Sequence, residues 1–68
     1  MLLSKKIIVN GHAMNMRLNK QMWNELSEIC TQENISIDKL CSLIDTAKGK
    51  SPLSSMVRLF VLSYRRQR

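Results

Sequence analysis

The sequence predicts a mostly α-helical domain with one short β-strand, completed by a second copy of the same chain. Three observations carry that prediction. Residues 12–19, His-Ala-Met-Asn-Met-Arg-Leu-Asn, alternate strictly and then give way to a helical period. Three amphipathic stripes follow, punctuated by Asn34 and Gly49. Finally, 68 residues make one domain at most, and a marginal one if the chain stands alone.

The strand comes first. Met14, Met16 and Leu18 fall on one face, and Ala13, Asn15 and Arg17 fall on the other. A single strand cannot bury its apolar face unaided, and the cheapest partner is the same strand of a second chain. That pairing predicts an intertwined homodimer sharing a two-stranded antiparallel ribbon. Upstream, Lys5 to Val9 is apolar and β-branched, and Asn10-Gly11 is a strong hairpin signal. Residues 1–11 are therefore either a hairpin strand, with residues 5–9 against 12–17, or a flexible basic arm. A hairpin would make the dimer sheet four strands wide, whereas it is a two-stranded ribbon presenting Asn15 and Arg17 that would fit the major groove of DNA. The sequence leaves both readings open.

Asn19 is a good N-cap for a first helix over about residues 20–33, whose stripe is Met22, Trp23, Leu26, Ile29 and Cys30. Asn34 suits the left-handed position that ends it. Ser36 then caps a second helix over about 37–48, with Asp38 in its first turn and Ile37, Leu40, Cys41, Ile44 and Ala47 facing inward. Gly49 closes it. Ser51-Pro52 opens a third helix over about 52–66, with serine as cap and proline at the first helical position. It buries Leu53, Met56, Val57, Phe60, Val61 and Tyr64. Leu59 and Leu62 widen the stripe, so this helix is expected to pack on more than one neighbour. Residues 12–66 thus form the domain, and 67–68 a basic tail.

Net charge is +6, and its distribution is informative. Residues 1–20 and 47–68 carry only basic side chains, whereas the five acids lie between Glu25 and Asp45. Basic ends around an acidic middle suit a polyanion, and also serve solubility. Cys30 and Cys41 lie inside apolar helical patterns and are expected as reduced core residues rather than a bridge or ligands. Neither a signal-peptide core nor a membrane-spanning run is present in the sequence, so the cytoplasm is the expected compartment, with association to the nucleoid when DNA is bound. No nucleophile–base pair, paired carboxylates, metal cluster or phosphate-cradling loop is visible. The sequence therefore predicts a non-enzyme that needs no cofactor or metal. The single histidine, His12, is expected in solvent beside the ribbon. Trp23 could stack on a single-stranded base, but its register with Leu26 and Cys30 argues for the core.

Strand, helix, tight turn and helix, with Met16-Arg17-Leu18 followed by Asn34-Ile35-Ser36, resemble the ribbon-helix-helix family of Arc and MetJ type over about residues 12–48. Asn34 stands where the family commonly has glycine, and it tolerates the same left-handed backbone. Trp23, Ile44-Asp45 and Leu53-Ser54-Ser55 with Arg58-Leu59-Phe60-Val61-Leu62 resemble a small bacterial subgroup with a third helix, extending the match to about 7–64. The resemblance implies a sequence-specific binder of double-stranded DNA, a transcriptional repressor acting as a homodimer and able to assemble further on DNA. The alternative is an antitoxin that autoregulates its operon.

By that resemblance the outward ribbon side chains Ala13, Asn15 and Arg17 read bases. Arginine can donate two bonds to guanine and asparagine can pair with adenine, while Ala13 offers only an apolar contact. The other reading is the solvated polar face of an ordinary sheet. The family also clamps phosphate at the start of its second helix, which assigns anchoring to Ser36, Ile37 through its backbone, and Lys39. Asp38 would oppose that role if it faced the phosphate. Lys20, Arg65, Arg66 and Arg68 are further candidates for backbone contact, the arginines equally a frayed cationic tail.

Overall fold

Asn10 and Gly11 both adopt positive φ, 50° and 85°, the combination a two-residue type I′ turn demands. In the computed structural model, which describes residues 1–67, this turn joins β1 (Leu2–Val9) to β2 (His12–Asn19) in an antiparallel hairpin. The expectation of one short strand is therefore corrected to two, and β2 finds its partner within its own chain. The physical reason lies in the register. The tight turn sets Val9 opposite His12, so Ile7 pairs with Met14, Lys5 with Met16 and Leu3 with Leu18. Ile7, Val9, Met16 and Leu18 then share the inner face and are all buried. Met14 is on the same face but stays 39% exposed near the turn. Of the two readings of residues 1–11, the hairpin strand is the one adopted.

Three helices cover that face: α1 (Lys20–Gln32), α2 (Ile37–Ala47) and α3 (Leu53–Arg66). Asn19 caps α1 as expected, its side chain accepting from the Met22 N–H at 2.7 Å. At the other end Asn34 takes φ 55°. Its N–H donates to the Thr31 carbonyl at 3.2 Å, and that of Ile35 to Cys30 at 2.9 Å, which is a Schellman closure. Gly49, at φ 64°, follows α2. The start of α3 differs from expectation. Pro52, not Ser51, is the N-cap, and no side-chain hydrogen bond caps the helix. Proline has no N–H to leave unsatisfied, so it is tolerated there.

Trp23, Leu26, Ile29, Cys30, Leu40, Cys41, Leu53, Val57 and Val61 complete the core. Trp23 is core, as its register implied: its indole N–H donates to the Leu3 carbonyl at 2.9 Å and the Lys5 ammonium sits 5.2 Å above its ring. Both cysteines are free and buried. Burial pushes the Cys41 thiol up to about 12, helped by nearby Cys30 and Asp38. The inner stripe of α2 is narrower than expected, because Ala47 is exposed. α3 does contact α1, α2 and β2, but Leu59 and Leu62 take no part and remain about half exposed, at 55% and 53%.

Candidate nucleic-acid interface

The outer face of the hairpin follows from the same register. Directly opposed residues share a face, so Ser4 lies across from Arg17, Lys6 from Asn15 and Ile8 from Ala13. All six are exposed. Ala13, Asn15 and Arg17 are thus brought into one row, as the alternation implied. Beside them runs a second row, Ser4, Lys6 and Ile8, to which the sequence reading gave no role. The signal for it was present: once Asn10-Gly11 is taken as a two-residue turn, the pairing of every residue in β1 is determined. The face carries two cations and no acid, since no Asp or Glu occurs before Glu25.

The two edges of the hairpin are treated differently. α2 lies along β1. The Ile8 N–H donates to Asp38 Oδ1 at 3.2 Å, and the Asn10 N–H to Ser42 Oγ at 3.0 Å. The Asn10 side-chain amide adds bonds to the Ser42 carbonyl at 3.3 Å and to Asp45 Oδ2 at 3.2 Å. A row of polar side chains on α2 therefore satisfies the edge of β1 and pins the turn. Because Ile8 points its N–H away from β2, the alternation of the ladder turns the backbone groups of Ala13, Asn15 and Arg17 toward the opposite edge. No further strand joins that edge among the described residues.

The start of α2 flanks β1 near Ile8. Ser36 is its N-cap and its hydroxyl accepts from the Lys39 N–H at 3.0 Å. The first intrahelical bond runs from the Leu40 N–H to the Ser36 carbonyl at 3.0 Å, so the N–H groups of Ile37 and Asp38 precede the ladder. The Lys39 side chain is exposed. Asp38 directs a carboxylate oxygen at the sheet edge, but its negative charge stays in the first turn of α2, where it opposes an anion at this helix end. Lys20 is exposed at the first position of α1, at the open end of the hairpin. It lies seven positions along from Ala13, which is across from Ile8, a distance of about 23 Å along an extended strand. The four anchor candidates thus occupy two places rather than one. Arg65 forms an ion pair with Glu25 on α1, Arg66 ends α3 in solvent, and Arg68 lies outside the described residues.

Among the described residues no group of histidine, cysteine or acidic side chains is arranged to hold a metal ion, and no helix is long and apolar enough to cross a membrane. A family model for the ribbon-helix-helix domain matches residues 2–65. No curated protein and no solved structure matches the chain.

Proposed function

The chain belongs to the ribbon-helix-helix family, a family of DNA-binding regulators, and on that premise we propose that it is a sequence-specific binder of double-stranded DNA. It acts as a transcriptional repressor in the cytoplasm. The observation that carries the reading is the outward face of the hairpin, where Asn15 and Arg17 project into solvent from a rigid sheet whose other face is core. Such a ribbon suits the major groove, where Arg17 pairs with guanine and Asn15 with adenine, and Ala13 makes apolar contact. Ser36, the Ile37 backbone and Lys39 anchor one phosphate beside β1. Lys20 anchors another at the far end of the ribbon. No cofactor is required.

Ribbon-helix-helix proteins typically bind DNA as dimers, and we assign this chain the same state. Exposed Leu43 on α2, with Leu59 and Leu62 on α3, supplies apolar surface for a second copy. The antitoxin reading gains no support from α3, which is part of the core through Leu53, Val57 and Val61.

Titration of the protein against duplex DNA at several salt concentrations tests the proposal. Each neutralised phosphate releases counterion, so about six contacts in a dimer give a slope of log K against log salt near −5. Affinity that barely changes with salt would overturn it. Sedimentation across a range of protein concentrations checks the dimer.

A further inference from the structure

We infer that Lys6, on the outer face of β1, holds a phosphate of the DNA backbone at the rim of the major groove. The inference rests on the DNA-binding reading above and on its dimer, and it gives β1 a task distinct from that of the reading strand.

The two edges of the hairpin decide where β1 stands in that dimer. α2 closes the edge of β1, with Asp38 on the Ile8 N–H and Ser42 on the Asn10 N–H. The backbone groups of Ala13, Asn15 and Arg17 point to the edge of β2, which no strand joins among the described residues. A second chain that adds its own β2 there makes a sheet with two β2 strands at the centre and β1 on each flank. Strands lie about 4.8 Å apart, so the two β1 strands stand about 14 Å apart. The major groove is about 12 Å wide. The central pair therefore lies over the groove, and each β1 lies over a wall of sugar and phosphate.

α2 leaves this part of β1 open. It begins beside Ile8 and runs toward the turn, since Asp38 meets Ile8 and both Ser42 and Asp45 meet Asn10. Ser4 and Lys6 precede Ile8, away from the body of the helix, and both are exposed. Lys6 is about 7 Å from Ile8 along the strand, close to the start of α2. There the charge of Asp38 opposes an anion. Lys6 offsets it with a cation from the neighbouring strand, on a sheet face that carries no acid. A lysine ammonium is a compact charge on a flexible four-carbon stem, so it can follow a phosphate without a fixed geometry.

Neighbouring Lys5 provides the control. It carries the same charge one residue away but belongs to the inner face, where its ammonium sits over Trp23. Wild type, Lys6→Gln, Lys6→Arg and Lys5→Gln are titrated across a salt series. Each is measured on the duplex that the wild type selects from a random pool and on random duplex. Circular dichroism confirms that every variant is folded. Lys6→Gln is expected to weaken both duplexes alike, several-fold, and to flatten the salt slope by about 2, one contact from each chain. Lys6→Arg should keep the wild-type slope, and Lys5→Gln should change it far less than Lys6→Gln does. Duplexes carrying single uncharged methylphosphonate links then locate the contact. Neutralising the phosphate that Lys6 holds should weaken the wild type and leave Lys6→Gln unaffected. An unchanged slope in Lys6→Gln, a slope no flatter than that of Lys5→Gln, or a loss confined to the selected duplex would overturn the inference. A steep wild-type slope would still support the DNA-binding reading in each of those cases. If the wild type binds no duplex, both fall.

Discussion

The two faces of the hairpin are made by the same sixteen strand residues, yet they have opposite fates. On the inner face Ile7, Val9, Met16 and Leu18 are sealed under three helices, each below 5% exposed. On the outer face Ser4, Lys6, Asn15 and Arg17 are exposed. The period of a strand is two, so a slip of one residue would exchange the faces entirely. What prevents the slip is the Asn10-Gly11 turn and its bonds to α2. The comparison teaches that the inner row specifies the fold and so frees the outer row to vary without cost to stability.

Replacing Leu18 with alanine should break the inner face. Leu18 is 1% exposed, and deleting a buried leucine side chain costs about 2–5 kcal/mol. For so small a domain that is half or more of the total stability. Urea denaturation should show the midpoint collapse, and a loss below about 1 kcal/mol would mean the inner face is not the core. Trp23→Phe is the milder probe, because it removes the bond to the Leu3 carbonyl and only part of a buried ring. The expected cost is about 1–3 kcal/mol, hydrogen bond and cavity together. Amide exchange should rise first at the start of β1, the segment that the indole ties down.

Much of this architecture was legible from residue pattern alone. The three helices fall within a residue or so of the expected bounds, because Asn19, Ser36, Asn34 and Gly49 are local signals whose physics does not depend on distant contacts. The outward placement of Ala13, Asn15 and Arg17 was legible for the same reason. The partner of β2 was not. Asn10-Gly11 favoured a hairpin, but whether Ile7 and Val9 would be covered depends on α1, α2 and α3 arriving over them, a tertiary outcome. The role of Asp38 was hidden similarly. Its position in the first turn of α2 is ordinary helix chemistry, and only the docking of β1 turns it toward the Ile8 N–H. Leu59 and Leu62 were read as widening the apolar stripe of α3 toward a further neighbour, because apolar character does not reveal which side of a helix finds one.

The smallest effect on stability belongs to Asn15, and it gives the comparison its finest test. Asn15 is exposed and pairs across the hairpin with Lys6. Surface changes away from caps, networks and strained backbone are worth within about 0.5 kcal/mol, so Asn15→Ala should leave the urea midpoint almost unmoved. β-propensity alone would shift it by a few tenths in either direction. The same change deletes the outer-face amide that the proposed function pairs with adenine, so on that proposal discrimination at that base should fall by about 1–3 kcal/mol. Denaturation and duplex titration on one preparation of the variant therefore have to diverge: near-native stability with lost preference. If stability and preference fell together, the outer row would be holding the sheet, and the separation between the two faces would not exist.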